Sequence, residues 1–576
     1  MTHLLVITVG PVQDFIAAAR KTRDLWAGSE LLSEVSKAVA LSLPLIRDED
    51  LIFPTANAAR GKAPVANIVL AMLPDGDPQE IVQRAEEAAL GVLKSKFDDA
   101  LATIRTRLGS DLLTNDLKAL AKKQIKDFLE FYAAWVPMDG EYAKDRKAVM
   151  RLLAGRKALR DFKPAHGMAG RPKSALDGGR ESVLPEHIVK SGCPQLGIKK
   201  GEHLDGISLL KRTAKMERFV STARVAVDPL IRRLVEEKQT ELLQELRKMA
   251  EELIHDDLAQ KFPGHPQYAI FPYDTELFYN DGKAEANSED VKNKASAFFK
   301  QVQSACKDRH LGDPPAYFAV LQGDGDRMGA TLNQLDTPTA HQLFSDNLLE
   351  FSDQAKSIVE DEYYGALIYS GGDDVLALLP LDTALSCATA LNTAFTKCMD
   401  AALPDDFPAK PTFSCGVSIG HYSEHLQRLL AWARDAERAA KDAGRNRLAV
   451  HLHTRTAGEC CVGAVHTWAD TSRWEKWTTL LVERKIPTGA IFELRKLARE
   501  FAALGSAHAG FLREEIRRIL ARKHNEGGKL SKEEIEPLVT AAGDTPALLE
   551  RLVDELLIAR RLADARRISP QEKVTP

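Results

Sequence analysis

Short runs of apolar residues along the chain fall into two groups, separated and followed by longer helical patterns. In the first group, residues 4–9, 51–53 and 65–72 have strand composition. Between the first two runs, Asp14 and Ser29 are candidate helix caps. Phe15, Ala18 and Ala19, then Leu31, Leu32 and Val35, follow them at the spacing of buried helix faces. A long helical pattern then runs from about Pro78 to Trp135. That order, β-α-β-β-α, predicts a ferredoxin-like domain. Its Gly-containing turns would either offer backbone N–H groups to a phosphate or serve ordinary strand–helix packing.

The second group begins with a strand at 317–321 that ends in Asp324-Gly325-Asp326. Two apolar runs within 366–379 then flank Ser370-Gly371-Gly372-Asp373-Asp374, the pattern of a β-hairpin with two carboxylates at its tip. A third strand is predicted over 412–420. A helix follows with Ala433, Ala436 and Ala440 on one face, and then Lys441-Asp442-Ala443-Gly444-Arg445-Asn446. Residues from Leu209 to about Phe299 read as a charged helical linker, and Trp468 to Pro576 as helical throughout.

A chain of 576 residues is too long for one core, and about three or four domains follow. The expected division is 1–200, 201–312, 313–460 and 461–576. A net charge of −4 gives no global attraction to nucleic acid. Local basic surfaces would have to supply it: the Gly- and basic-rich stretch 151–200, or the arginine faces within 511–520 and 556–567. Each of these is otherwise a solvated surface. No apolar run is long enough to span a bilayer, and the N-terminus lacks a basic leader and cleavage site, so a cytoplasmic location is expected. The seven cysteines include no Cys-x-x-Cys pair, so buried thiols are expected, with no disulfide framework and no zinc site. His255-Asp256 has no companions at metal-ligand spacing and reads as surface.

Two adjacent ionised carboxylates repel by roughly 4 kcal/mol at ~4 Å and an effective dielectric of ~20. Asp373 and Asp374 therefore need either water, as a solvated acidic turn, or a divalent cation. Asp324, at the end of a strand beside the hairpin, shifts the balance toward the cation. Hard Mg²⁺ or Mn²⁺ ions take such oxygen ligands and complete their shell with water and substrate phosphates. From the residues alone, the chemistry indicated is metal-dependent nucleotidyl transfer, with Asp326 a weaker candidate ligand.

In this order, the Asp-x-Asp strand, the Gly371-Gly372-Asp373-Asp374 hairpin, Ser414-x-Gly416-Val417-Ser418-Ile419 and Ala440-Lys441-x-x-Gly444-Arg445-Asn446 resemble the palm of the diguanylate-cyclase (GGDEF) superfamily. The Asp-Asp variant is similar to the large subunit of type III CRISPR effector complexes. Gly10-Pro11-Val12-Gln13-x-Phe15-Ile16 and the run from Arg20 to Ser29 resemble the first palm of the Cmr-type (III-B) large subunit. The resemblance implies an α+β fold of two ferredoxin-like palms, a helical linker domain and a C-terminal helical domain. It implies a scaffold and signalling subunit that converts ATP to cyclic oligoadenylate when target RNA is bound. Its partners would be other Cmr-type subunits, guide CRISPR RNA and target RNA.

By the same resemblance, Asp324, Asp373 and Asp374 are catalytic and hold the metals, and Lys441 contacts the triphosphate. Ser370, Gly371 and Gly372 border the nucleotide, and Gly28 and Ser29 lie near one between the palms. The chain departs from the family in lacking a four-cysteine zinc site. It also opens on a palm rather than an HD nuclease domain, so no DNase is expected. Three other readings share the residues: a stand-alone cyclic dinucleotide synthase acting on GTP, a template-copying polymerase, and a non-enzymatic scaffold with a vestigial palm.

Overall fold

The computed structural model describes residues 2–159, 168, 170–215, 219–255, 261–262, 265–280, 288–455, 461–504 and 509–569. Helices of eight residues or more are numbered below. The first domain runs β1 (His3–Gly10), α1 (Thr22–Ser42), β2 (Leu51–Phe53), β3 (Ile68–Leu73), α2 (Pro78–Leu108), α3 (Asn115–Lys126), β4 (Glu130–Pro137) and α4 (Tyr142–Ala158). Its sheet order is β2-β3-β1-β4, all antiparallel, which is the ferredoxin-like arrangement. β1 is covered on both faces. Leu5, Ile7 and Val9 pack with α1 and α2, while Leu4 and Val6 pack with Tyr142, Val149 and Leu153 of α4.

The helical pattern expected up to Trp135 ends early, because its last stretch is the strand β4. There the residues Phe131, Tyr132, Trp135 and Val136 favour a pleated surface, and pairing with β1 along its length outweighs helical periodicity. α1 also begins earlier than expected, at Thr22, and passes through Gly28 and Ser29 without interruption, so Ser29 is not a cap. The helix start is held instead by Asp24, whose Oδ2 accepts from the backbone N–H groups of Arg20 and Lys21. Asp14 caps nothing either: it lies within a short helix, Gln13–Ala17.

A linker of α5 (Gly206–Thr213), α6 (Thr222–Glu236), α7 (Thr240–His255) and α8 (Glu289–Asp308) joins the halves. Asp256 lies outside the described residues. Arg212 of α5 is fully buried and donates to both oxygens of Asp24 at 2.8 Å and to Glu202 at 3.0 Å. Removing one partner of such a buried network typically costs ~3–5 kcal/mol. The segment 171–184 is more than a solvated loop. Val183 and Leu184 are buried, and Arg171 donates to the carbonyls of Ser182 and Leu184.

The second domain comprises β5 (Tyr317–Asp326), α9 (Pro338–Ser357), β6 (Ala366–Gly371), β7 (Asp374–Pro380), α10 (Ala384–Ala402), β8 (Thr412–His421), α11 (Leu426–Asp442), β9 (Arg447–His453) and β10 (Cys461–Thr467). The sheet order is β10-β9-β8-β5-β7-β6. Its β8-β5-β7-β6 portion repeats the ferredoxin-like order, and β9 and β10 extend it. Alternation along β5 separates two cores. Ala319 and Leu321 face α9 and α10, whereas Phe318 and Val320 share the first domain's core with Trp26 and Leu32. Trp26 Nε1 donates to the carbonyl of Leu367 at 2.8 Å, joining α1 to β6 across the two domains.

α12 (Ser472–Val482), α13 (Thr488–Leu504), α14 (Ala509–Arg522), α15 (Lys532–Ala542) and α16 (Pro546–Ile568) follow, and the run expected to be helical throughout is interrupted by a small hairpin that pairs His524–Asn525 with Gly528–Lys529. Val462 and Ala464 of β10 pack in one core with Leu552, Leu556 and Ala559 of α16. The boundary expected at residue 460 therefore falls between two paired strands of one sheet. Much of the arginine face of α14 is already engaged by acids: Arg517 pairs with Glu514 and Glu536, Arg513 with Asp544, and Arg522 with Glu493. Cys193, Cys306, Cys387, Cys398 and Cys415 are buried, while Cys461 is exposed and Cys460 lies outside the described residues. Among the described residues, no helix is long and apolar enough to cross a membrane.

Candidate active site

The site forms where β5 meets the β6–β7 hairpin. β5 pairs with β7 up to Gly323 and with β8 through Asp326, so its last residues project past β7. Glycine at 325 is what lets the hairpin tip close over β5. A Cβ there would stand 2.8 Å from Asp373 Cβ and 2.9 Å from Met328 Sδ. At the tip, Gly372 has φ +69°, in the left-handed region. Gly371 lies against the Tyr369 ring, and its Cβ would fall 2.2 Å from the phenol oxygen.

This geometry gathers Asp324, Asp373 and Asp374. Burial, then repulsion from Asp324, pushes Asp373 up to about 7. Burial, then Asp373 and Asp324, raises Asp374 well above the carboxylate range. Three acids held together with too little compensating charge are poised for a cation.

Part of that compensation comes from Lys441, in the last turn of α11. Its Nζ is 2.9 Å from Asp324 Oδ2 and 2.6 Å from Glu437 Oε1. Burial works against the ammonium, but the Glu437 and Asp324 contacts outweigh it and raise the lysine pKa. α11 reaches this position because β8 carries Gly416 beneath it. A Cβ there would lie 2.1 Å from the Glu437 backbone nitrogen. Beyond α11, Gly444, Arg445 and Asn446 all have positive φ, at 121°, 64° and 50°. Asp326 holds this turn: its carboxylate accepts from Thr412 Oγ1, Ser414 Oγ and the Asn446 N–H, at 2.8–3.0 Å.

The structure thus brings Asp324, Asp373, Asp374, Gly371, Gly372 and Lys441 together, and turns Asp326 away into a buried anchoring role. Ser370 departs from expectation. Its side chain is fully buried, and its carbonyl accepts from Ser352 Oγ at 3.0 Å, so it supports the hairpin from below. Gly28 and Ser29 are buried within α1, where the backbone N–H groups belong to the helix. Gly28 makes room for Lys211, whose Cε would be 3.2 Å from an added Cβ. Glu437 and the anchoring of Asp326 escaped the sequence reading. Glu437 stands one turn before Lys441, a spacing that could have flagged the pair.

The donor chemistry suits a divalent cation of the Mg²⁺ or Mn²⁺ kind. All three donors are carboxylate oxygens, and burial, then mutual repulsion, disfavours the ionised forms of Asp373 and Asp374, so a counter-charge is called for. Among the described residues, the three do not close into a group with ligand atoms all within 4.8 Å of one another. That openness matches ions that keep waters and substrate phosphates rather than a closed protein cage.

Two ferredoxin-like domains that share a core, one with an acid-tipped hairpin, define a tandem-palm protein. Residues 317–449 match the family model for Cas10/Cmr2, second palm domain, and residues 4–128 match that for CRISPR-associated protein Cmr2, N-terminal. These two matches, one on each palm, support a Cmr2/Cas10 large subunit of type III-B. The CRISPR system Cmr subunit Cmr2 of Pyrococcus furiosus is 24% identical over 557 residues; the match covers 79% of this chain and 61% of that relative's length. Among solved structures, a type III-B Cmr-beta chain in the apo state aligns with a TM-score of 0.65 at 14% identity, covering 97% of this chain and 81% of that one. Cmr-beta bound to cognate target RNA aligns at 0.59 with 14% identity, covering 92% and 80%. A Csm1–Csm4 cassette in complex with pppApApA aligns at 0.50 with 13% identity, covering 97% and 69%.

Proposed function

We propose that the second palm is a metal-dependent nucleotidyltransferase that joins ATP 3′→5′ into cyclic oligoadenylate, releasing pyrophosphate. It would act as part of a cytoplasmic type III-B effector complex with Cmr-type subunits, guide CRISPR RNA and target RNA. The observation that carries this reading is the placement of Asp373 and Asp374 near enough to Asp324, at the end of a palm sheet, for their charges to repel, with Lys441 bound to Asp324. The pppApApA bound by the Csm1–Csm4 cassette supports adenylate as the substrate class, and the target-RNA-bound Cmr-beta supports the RNA partner.

Asp324, Asp373 and Asp374 would hold the metal ions. When bound, such ions lower the pKa of an attacking hydroxyl and neutralise charge on a triphosphate. The chain's own residues do the rest. Lys441 exchanges its contact with Asp324 for a phosphate oxygen, and Glu437 keeps the ammonium aimed at the cleft as it does so. The bare backbone at Gly372, with nothing within 4 Å of an added Cβ, lets a nucleotide approach the hairpin tip, while Gly371 lies beneath the Tyr369 ring. Asp326 and the 444–446 turn fix the base of α11, so Lys441 is in place before substrate arrives.

The test is incubation of the assembled complex with labelled ATP and Mg²⁺ or Mn²⁺, with and without target RNA, beside an Asp373→Ala/Asp374→Ala variant. Target-dependent cyclic oligoadenylate that disappears in the variant is the expected result. No product from a correctly assembled, target-bound complex would leave a scaffold in place of an enzyme.

A further inference from the structure

A second cluster of ligating side chains lies at the opposite end of the second palm, on the outer strands of the sheet. His451 and His453 are two residues apart on β9 and share the face that α11 covers. Cys461, on the edge strand β10, stands directly opposite His453. One ligand atom from each of the three lies within 4.8 Å of the other two. Cys461 Sγ is 3.7 Å from His453 Nε2. Tetrahedral coordination, with Zn–S of ~2.3 Å and Zn–N of ~2.05 Å, sets that separation at ~3.6 Å.

The neighbouring residues hold these donors in position. The His453 ring stacks on Trp432 of α11, with centroids 3.7 Å apart and planes within 2°. His451 has space because residue 463, its cross-strand partner, is glycine; a Cβ there would be 2.8 Å from the ring Cδ2. Burial lowers both histidines, with His453 at about 4, so the imidazoles are neutral at physiological pH and keep a lone pair for a metal. The charged groups acting on them from α11 are Arg428, which stacks on Trp432 and opposes a cation, and the exposed Asp435, which favours one.

We infer that His451, His453 and Cys461 bind one borderline-soft divalent ion of the zinc class, leaving a fourth position for water. Binding releases the thiol proton of Cys461 to solvent and forms the metal–thiolate bond. Nitrogen and sulfur donors select zinc over the hard ions suited to the aspartates, so the two ends of one palm sort metals by ligand chemistry. The bound ion joins the start of the edge strand β10 to the end of β9. The spacing His-x-His with Cys eight residues on lacks the Cys-x-x-Cys signature, and the site becomes visible only once β9 and β10 are paired. The inference is independent of the nucleotide chemistry proposed above.

The full-length chain, with any histidine tag removed, would be stripped with chelator and titrated with Co²⁺, a spectroscopic stand-in for Zn²⁺. The expected result is saturation at about one equivalent of cobalt, with a thiolate-to-cobalt charge-transfer band. Cys461→Ser should abolish that band, and His453→Gln should weaken binding at least about tenfold, the scale of perturbed metal shells. Asp373→Asn/Asp374→Asn should leave the band intact. Equal metal-free melting of wild type and variants shows that each is folded, and Zn²⁺ should raise the melting temperature of wild type but not of Cys461→Ser. Absence of the thiolate band in wild type, or its persistence in Cys461→Ser, overturns the assignment.

Discussion

Asp326 accepts a hydrogen bond from the backbone N–H of Asn446 at 3.0 Å, tying the end of β5 to a turn 120 residues later in the chain. Arg445 and Asn446 both occupy the left-handed region, at a cost on the order of 1–3 kcal/mol per such non-glycine residue unless the surroundings enforce it. Asp326 supplies that enforcement. Asp326→Ala should therefore lower nucleotide turnover at least about tenfold, by releasing the base of α11 and with it Lys441. It should also destabilise the chain by ~1–3 kcal/mol, the cost of stranding buried donors. Mn²⁺ affinity should stay close to wild type, because Asp324, Asp373 and Asp374 remain. A large loss of Mn²⁺ affinity would make Asp326 a ligand instead.

Lys441 carries a different expectation. Lys441→Ala removes the cation that lowers the pKa values of Asp373 and Asp374. Product formation should fall at least about tenfold, with an increased KM for ATP and a pH–rate profile displaced to higher pH. Lys441→Arg should recover part of the KM. A wild-type KM in Lys441→Ala would remove the lysine from the triphosphate site.

Asp373 and Asp374 should show opposite signs for stability and activity. Their folded-state pKa values lie above those of an unfolded carboxylate, so folding takes up protons. The associated stability is complete below about pH 4 and is lost as pH rises through about 7 for Asp373. In chelator at pH 8, Asp373→Asn/Asp374→Asn should melt about 2–4 °C above wild type. The gap should close toward pH 4. Saturating Mg²⁺ should reverse the order, because only wild type gains from binding, and the variant should make no product. Differential scanning in chelator and in Mg²⁺ reads both signs.

The contact between the palms should weaken in acid. His341 of α9 is buried and receives a 2.6 Å contact from the Tyr142 hydroxyl of α4; burial, then Arg146, lowers its pKa to about 3. The unfolded chain therefore binds the proton first, near pH 6.5. Stability is full above that pH and is lost as pH falls toward 3, with a slope approaching ~1.4 kcal/mol per pH unit from this group. His341→Gln should flatten the dependence of melting temperature on pH between 6.5 and 5 by up to one proton. An unchanged slope would place the acid sensitivity elsewhere.

The second palm was legible because its signals are local. An apolar run, a glycine turn and an acid pair fix a hairpin whatever surrounds it, and Ala433, Ala436 and Ala440 announce the buried face of α11. The errors came where tertiary contacts decide. Ser29 looked like a cap because the true organiser of the α1 start, Asp24, draws part of its role from Arg212, almost two hundred residues away. β4 looked helical until β1 lay beside it. Asp326 and Asp324 are two positions apart on one strand. The hydroxyls of Thr412 and Ser414 and the N–H of Asn446 show that one anchors, and Lys441 that the other faces the cleft.

β10 belongs to the palm through its backbone and to the C-terminal helices through Val462 and Ala464. It also lies at the sheet edge, so cutting the chain at residue 460 would strip β9 of its neighbour and expose a row of unpaired amides, a template for aggregation. An isolated second palm for crystallisation or binding work should therefore end no earlier than Thr467, with polar replacements at positions 462 and 464. Conversely, the C-terminal helices expressed alone would lose the strand that seats α16.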